Sequence, residues 1–242
     1  MDTIDALSVD AERNDNLKKT QLENGFYNII DGEKVSTSRR LSVINPATGK
    51  QLAAVPYVHR ALLNKAITNA RNAFSGWGGF PFGRRKAILA SLLNKIDDHA
   101  DELSALLTAE QGGPLAQARW EIDLLTQAFG PALMQMELHE KEQDVQHIEH
   151  ITKRYVVGAV SLWNLPVILS FGKALPALLA GDTVVLRPSP FTPLTVLRIS
   201  DYIRELLPPG VFNVVTGGHD LGPWMTSRSG IDLITFTRST NI

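Results

Sequence analysis

The residues from Tyr155 to Thr195 constrain the fold most, because the pattern changes from strand to helix and back to strand within this stretch. Tyr155 to Leu162 is apolar, Val-rich and of strand length, whereas Val167 to Ala180 is apolar and of helical length. Gly181 ends that helix as C-terminal glycines do, and Thr183 to Leu186 resumes as a second strand. Strands that are apolar throughout are typical of a parallel sheet covered on both faces. The pattern therefore predicts a βαβ unit.

The same stretch also has the composition of a membrane span, because Lys173 is the only charged residue between positions 155 and 181. A run of that length would suffice to cross a bilayer. Asn164, Pro166 and Pro176 interrupt it, however, where a spanning helix would be continuous. A buried βαβ core is the preferred interpretation.

The chain before this unit predicts short strands followed by a helical layer. Residues 1–24 are charged and weakly patterned, which indicates a flexible N-terminal arm. Strands are expected at Phe26–Ile30, Lys34–Val35, Leu41–Ile44 and Gln51–Val55, of which the first two form a hairpin. Apolar residues at helical spacing predict four helices that cover a sheet face, over residues 59–74, 84–99, 101–110 and 115–137, and a Gly-rich bend at 76–83 ends the first of them.

The chain after the βαβ unit continues to alternate between helices and strands. A helix is expected at Thr192–Leu207, with strands at Val211–Thr216 and Ile231–Thr237 and a short helix at Leu221–Thr226 between them. The predicted fold class is α/β: a doubly wound, mostly parallel Rossmann-like sheet with an N-terminal helical layer. The polar residues 139–154 predict a protruding β-hairpin arm.

Composition excludes several classes of function. A net charge of −1 gives no electrostatic basis for binding nucleic acid or an anionic membrane. The acidic first residues lack the apolar segment of a signal peptide, so a cytoplasmic location is expected. The sequence contains no cysteine, which excludes disulfides, thiolate metal sites and thiol catalysis by these residues. His147 and His150 lack further ligands at metal-site spacing, and no metal site is predicted.

Several motifs together resemble the NAD(P)-dependent aldehyde dehydrogenases. They are Trp163-Asn164-Leu165-Pro166, the runs Lys173–Leu186 and Leu207–Gly217, the segments Pro188-Ser189 and Thr192-Pro193-Leu194, and the upstream segment Val43–Gly49. The resemblance covers most of the chain from about Tyr27 and corresponds to roughly the first half of such an enzyme. It implies a truncated protein whose NAD(P)-binding domain comprises residues 25–138 and 155–242 and is incomplete at its C-terminus. Residues 139–154 would form an oligomerisation hairpin, and the catalytic domain would be absent.

Asn164 and Lys173 are the catalytic candidates that this resemblance implies. Asn164 follows the C-terminal end of a buried strand, where open α/β sheets place their ligands. Its amide would stabilise the oxyanion formed when a thiolate attacks an aldehyde. Alternatively, Asn164 satisfies backbone groups in the turn before Pro166. Lys173 would face the active-site region, although a lysine on an apolar helix needs a polar partner in any case.

The end of the second βαβ strand carries the first group of expected cofactor contacts. Arg187 could donate to a ribose hydroxyl or a 2′-phosphate, or could be a solvated arginine. Pro190 stands where the family often has glutamate and cannot accept a hydrogen bond from a ribose hydroxyl. NAD and NADP therefore both remain candidate cofactors. Ser189 belongs to the same strand end, and Leu162 and Trp163 are expected contacts at the end of the first strand, although Trp163 is more simply interpreted as a core aromatic residue.

The second group of cofactor contacts follows the later strands. Gly217 lies in a turn that permits close approach of a ligand. Phe236, Thr237 and Ser239 stand where the family usually reads Phe-Thr-Gly-Ser, before a helix that faces the pyrophosphate. Arg238 replaces the glycine of that motif and is expected to obstruct the pocket, so cofactor binding is predicted to be impaired.

The resemblance leaves three functional hypotheses. The family reaction is oxidation of an aldehyde to a carboxylic acid, and it needs a cysteine thiolate and a glutamate base. Because this chain has no cysteine, it is predicted to be inactive alone and to supply the nucleotide-binding half of such an oxidoreductase. Alternatively, it is an inactive interaction module that forms an oligomer with an intact homologue through residues 139–154. The third hypothesis is a nonfunctional remnant. The expected partners are a nicotinamide dinucleotide and a homo- or hetero-oligomer, with no nucleic acid and no membrane.

Overall fold

The computed structural model describes residues 25–136 and 155–237, so the predictions for residues 1–24 and 139–154 and for Arg238 and Ser239 lie outside it. The strands are β1 (Asn28–Ile30), β2 (Glu33–Val35), β3 (Arg40–Ile44), β4 (Gln51–Pro56), β5 (Val156–Val160), β6 (Thr183–Arg187), β7 (Phe212–Val214) and β8 (Leu233–Phe236). The helices are α1 (Arg60–Gly78), α2 (Phe82–Asp98), α3 (Ala100–Gln111), α4 (Leu115–Asp123), α5 (Gly130–Gln135), α6 (Pro166–Ala180), α7 (Leu194–Leu206) and α8 (Leu221–Thr226).

The predicted βαβ unit is confirmed. β5 and β6 are buried along their whole length and pair in parallel, from Val156↔Thr183 to Val160↔Arg187. α6 connects them and ends at Gly181, which adopts a left-handed conformation with φ of 97°. Among the described residues, no helix is long and apolar enough to cross a membrane.

The main sheet has six strands in the order β2-β1-β7-β6-β5-β8. Four neighbouring strands, β7, β6, β5 and β8, are parallel to one another. At the other edge of the sheet, β1 pairs antiparallel to β7, and β2 pairs antiparallel to β1. The N-terminal hairpin thus extends the sheet, which the sequence analysis did not predict. Asn28 explains the attachment: it is fully buried, and its side-chain oxygen accepts hydrogen bonds from the backbone N–H and the hydroxyl of Thr216.

The two faces of the sheet bury different groups of side chains. Along β6, Val184 and Leu186 belong to the larger core beneath α2, α6 and α7, whereas Val185 belongs to the smaller core beneath α1 and α8. The expected single helical layer is therefore divided between the two faces. Alternation of this kind is what a strand covered on both faces requires.

The boundaries of two predicted helices differ from the structure. α1 runs through Gly76 to Gly78, because Trp77 is buried and its indole N–H donates to the carbonyl of Leu178 at 2.9 Å. The expected single helix over residues 115–137 is divided into α4, a π-helical segment at Leu124–Phe129, and α5. A separate two-stranded sheet of β3 and β4 completes the described fold.

Candidate functional site

The loops that follow β5, β6 and β7 meet at one edge of the sheet, because the carboxyl ends of parallel strands lie side by side. A cleft of about 560 Å³ opens at this edge. The three loops contribute Trp163, then Pro190, Phe191 and Thr192, and finally Gly218 and His219. The β3–β4 hairpin and the end of α3 form the remaining walls, including Ile44, Glu110 and Gln111. Sequence reasoning identified the loops but missed the hairpin and α3.

The loop between β5 and α6 is held by its backbone. Gln111 donates hydrogen bonds from its side-chain amide to the carbonyls of Trp163 and Asn164. Asn164 is exposed, and its side chain makes no hydrogen bond with a described residue. The interpretation of Asn164 as a residue that satisfies its own turn is therefore not supported. Trp163 is 53% exposed at the cleft, so its interpretation as a core aromatic residue is wrong.

A buried glutamate holds the start of α6. Glu121 is 1% exposed, and its Oε1 accepts hydrogen bonds from the backbone N–H groups of Val167 (2.7 Å) and Ile168 (3.0 Å). Burial raises the pKa of the Glu121 carboxyl to about 7, although the two backbone hydrogen bonds act to lower it. These contacts hold the first turn of α6, which begins two residues after Asn164. Glu121 was not among the predicted site residues.

A second buried glutamate holds the start of α7. Glu110 is 2% exposed, and its two carboxylate oxygens accept separately, Oε2 from the N–H of Leu194 (2.6 Å) and Oε1 from that of Thr195 (2.9 Å). Burial raises its pKa to about 7, the hydrogen bonds from Thr195 and Leu194 lower it, and the Glu121 charge raises it. The available signal was its spacing: Glu110 falls three residues after Leu107, on the apolar face of a predicted helix.

Arg187 lies at the carboxyl end of β6 and is only 8% exposed, so its interpretation as a solvated arginine is wrong. Its Nη2 donates to the carbonyl of Gly218 at 2.9 Å, which connects the β6 and β7 ends. Burial lowers the pKa of its guanidinium, while the charges of Asp220 and Tyr57 raise it. The Nε atom is buried and has no hydrogen-bond partner among the described residues. Contact with a ribose or a phosphate stays a prediction.

Lys173 finds its polar partner within its own helix. Its ammonium donates to the carbonyl of Leu169 at 2.7 Å, and burial lowers its pKa. The expectation that this lysine makes a polar contact is confirmed. Its role in chemistry stays a prediction.

The other predicted cofactor contacts are distributed along the same edge. Leu162 is half-buried, whereas Ser189 and Gly217 are buried, and the Ser189 hydroxyl accepts from the N–H of Phe191 at 3.3 Å. Phe236 is 51% exposed at the end of β8, opposite Val160, and Thr237 follows it. Within residues 25–136 and 155–237, no group of three metal-binding side chains is present.

The residues at this edge fit a dinucleotide. The Nε–H of Arg187 is a buried donor without an acceptor in the described protein, and such a group is costly unless a ligand or water accepts its hydrogen bond. The exposed ring of Trp163 and the exposed amide of Asn164 lie at the end of the neighbouring strand. The assignment of Arg187, Pro190 and Gly217, and of Leu162 and Trp163, to cofactor binding stays a prediction.

Comparisons with known proteins match this chain to a family and to several enzymes. The sequence profile of the aldehyde dehydrogenase family matches residues 34–242. A 3,6-anhydro-alpha-L-galactose dehydrogenase of Streptomyces coelicolor is 36% identical over 214 residues, which cover 85% of this chain and 43% of that protein. A peroxisomal aminoaldehyde dehydrogenase of Malus domestica is 33% identical over 229 residues, covering 87% of this chain and 46% of that protein.

Solved structures give the same result. Aldehyde dehydrogenase C of Pseudomonas syringae, a mutant complexed with NAD+ and octanal, has a TM-score of 0.77 and 28% identity, covering 87% of this chain and 44% of that chain. An NADP-dependent enzyme of E. coli has a TM-score of 0.75 and 31% identity, covering 87% and 46%. The chain spans about half the length of the curated relatives it matches.

Proposed function

Because this chain belongs to the aldehyde dehydrogenase family, we propose that it provides the nicotinamide dinucleotide platform and the oxyanion donor for NAD(P)-dependent oxidation of an aldehyde to a carboxylic acid. The supporting observation is the Trp163–Pro166 loop at the end of β5. Gln111 and Glu121 hold the backbone on either side of Asn164, while its amide has no partner among the residues that the structure describes.

Asn164 supplies an uncharged, accessible donor on a held backbone, which is part of what an oxyanion donor requires. Such a donor must be uncharged, fixed and aimed at the position where negative charge develops. The fixed backbone limits how far the amide can move, and its exposure leaves it accessible to a bound aldehyde. A donor positioned before the reaction loses little free energy to reorganisation as the charge develops.

The dinucleotide would lie across the ends of β5, β6 and β7. When bound, it would accept a hydride from the substrate. Arg187 supplies the buried donor at one end of this surface, and Trp163 supplies an exposed apolar ring at the other. The complex of the Pseudomonas syringae relative with NAD+ and octanal supports this assignment of ligand class.

The nucleophile would come from outside the 242 residues, since they contain no cysteine. The family thiolate would then belong to another part of the polypeptide or to a partner. Impaired binding through Arg238 and association through residues 139–154 stay predictions, because both lie outside the described residues. The cytoplasmic location stays a prediction as well.

Isothermal titration of the chain with NAD and NADP tests the proposal. At least one of the two is expected to bind with a micromolar dissociation constant, because the site holds an exposed aromatic ring and a buried donor that meets no acceptor within the described ranges. Arg187→Met should weaken that binding about tenfold, as loss of a hydrogen bond to a charged group predicts. Absence of heat with both dinucleotides, from a chain shown to be folded by circular dichroism, would contradict the proposal.

A further inference from the structure

We propose that Asp220 makes this site select NAD over NADP, an inference that rests on the proposed dinucleotide function. Selection here means that the carboxylate accepts a hydrogen bond from the adenosine ribose and repels a phosphate on the ribose 2′-oxygen. Sequence reasoning did not single out Asp220.

The carboxylate of Asp220 lies against the glycine that lines the cleft. A Cβ atom on Gly218 would stand 3.1 Å from Asp220 Oδ1 and 2.7 Å from the hydroxyl oxygen of Tyr57. That hydroxyl donates to Oδ1 at 2.6 Å, which fixes the carboxylate in place. Gly218 and His219, immediately before Asp220, are both cleft residues.

One oxygen of this carboxylate remains available. Oδ1 is engaged by Tyr57, whereas no described residue donates a hydrogen bond to Oδ2. Asp220 is half-buried, so a ligand can reach it. A half-buried carboxylate oxygen with a free lone pair is a strong acceptor for a hydroxyl group.

Each of the two nearby arginines is held by a contact with the protein. Arg187 is 8% exposed and donates to the carbonyl of Gly218. The guanidinium of Arg39 stacks on the Tyr57 ring, with its central carbon 3.6 Å from the ring centroid. The buried Nε of Arg187 can donate to a neutral ribose oxygen from its present position. Turning either guanidinium toward a 2′-phosphate would break its contact with the protein, whereas the Asp220 carboxylate repels a phosphate without any rearrangement.

The chemistry of the two cofactors then decides the preference. The adenosine ribose of NAD offers two neutral hydroxyl donors, and NADP replaces one of them with a doubly charged phosphate. After β6, the side chain of Pro190 offers no hydrogen-bond acceptor to the ribose. The acceptor would therefore come from Asp220, which follows β7. A fixed charge that attracts one ligand and repels its competitor is an efficient basis for specificity.

Calorimetric titration of three proteins with NAD and with NADP tests this inference. The wild-type chain is expected to bind NAD about tenfold more tightly than NADP. Asp220→Asn should bring the two dissociation constants to within about twofold, mainly by tightening NADP binding. Asp101→Asn is the charge-matched control, because that side chain is 97% exposed at the far end of α3, and it should keep the wild-type ratio.

Tyr57→Phe provides an independent variant if Asp220→Asn fails to fold. It keeps the ring beneath Arg39 and removes the hydroxyl that fixes the carboxylate, so the preference should fall about threefold. Equal wild-type affinities, tighter NADP binding, or a preference unchanged in both variants would overturn the inference while leaving dinucleotide binding intact. Binding of neither cofactor would overturn the proposed function and this inference together.

Discussion

α6 and α7 begin in the same way but are held differently. Each starts just after a loop that lines the cleft, and in each the first backbone N–H groups are bound by a buried glutamate from the helical layer. Glu121 uses a single oxygen for both N–H groups of α6, whereas Glu110 uses one oxygen for each N–H group of α7. Neither helix has a side-chain cap of its own.

The difference teaches how a helix start can be stabilised when its local sequence cannot do so. The residues before the two helices are Leu165 and Pro193, which carry no side-chain acceptor. A carboxylate from a distant helix replaces the local cap and also connects each cleft loop to the helical layer. Because both oxygens of Glu110 accept hydrogen bonds, the start of α7 should tolerate substitution of its glutamate less well than the start of α6 does.

Removal of the Glu110 carboxylate should have the largest effect. Glu110→Ala leaves two buried N–H groups of α7 without acceptors and should lower the free energy of unfolding by about 3 kcal/mol. Urea denaturation followed by circular dichroism measures this. A loss below about 1 kcal/mol would show that α7 needs no such partner.

Changes of pH should separate the charge of these carboxyls from their hydrogen bonds. The pKa of Glu121 is raised to about 7 in the folded state from an ordinary value of 4.5. Between these two pH values, the carboxyl is therefore protonated in the folded protein and ionised in the unfolded chain. The stability from this group is complete below pH 4.5, falls as pH rises to 7, and is constant above it. Over that interval the wild type should lose about 2 kcal/mol relative to Glu121→Gln, which cannot ionise.

Urea denaturation at several pH values between 4.5 and 8 gives this difference. Glu121→Gln is the suitable reference, because its carboxamide oxygen can still accept both N–H groups of α6. A difference between the two proteins that is flat with pH would mean that Glu121 ionises at its ordinary pKa.

The same substitution at the two glutamates sharpens the comparison further. Glu110→Gln places an amide donor opposite a backbone N–H of α7 and should cost about 2 kcal/mol at pH 8. Glu121→Gln should not lower the free energy of unfolding under the same conditions, because its oxygen still accepts both N–H groups and it avoids the buried charge that the wild type carries at pH 8. Equal losses would remove the argument that oxygen usage distinguishes the two helix starts.

Features that depend on local pattern were predictable from the sequence. The apolar runs of β5 and β6, the Gly181 stop and the short helix Leu221–Thr226 are all encoded within a few residues, and the structure confirms them. The loops of the candidate site followed from the rule that ligands bind beyond the carboxyl ends of parallel strands.

Features that depend on distant partners were not predictable. Glu110 binds N–H groups 84 and 85 positions away, and Asn28 fixes Thr216 from 188 positions away. In each case a polar residue sits among apolar ones, and the sequence does not show which backbone group it will meet. The burial of Arg187 was missed for the same reason, since its partner is a carbonyl on the next strand.

Removal of the contact between Gln111 and the Asn164 loop should cause the smallest of the expected losses of stability. This contact belongs to the comparison because it holds the loop that precedes α6. Gln111→Leu removes the donor shared by the carbonyls of Trp163 and Asn164 and should lower the free energy of unfolding by about 1 kcal/mol. Acrylamide quenching of Trp163 fluorescence should rise as the loop loosens. The contribution of Trp163 is the part of the fluorescence that is lost in a Trp163→Phe variant. Gln117→Leu, at an exposed position on α4, is the control and should change neither quantity. If Gln111→Leu leaves both quantities unchanged, Glu121 alone is sufficient to hold the loop, and the two helix starts are more alike than their contacts indicate.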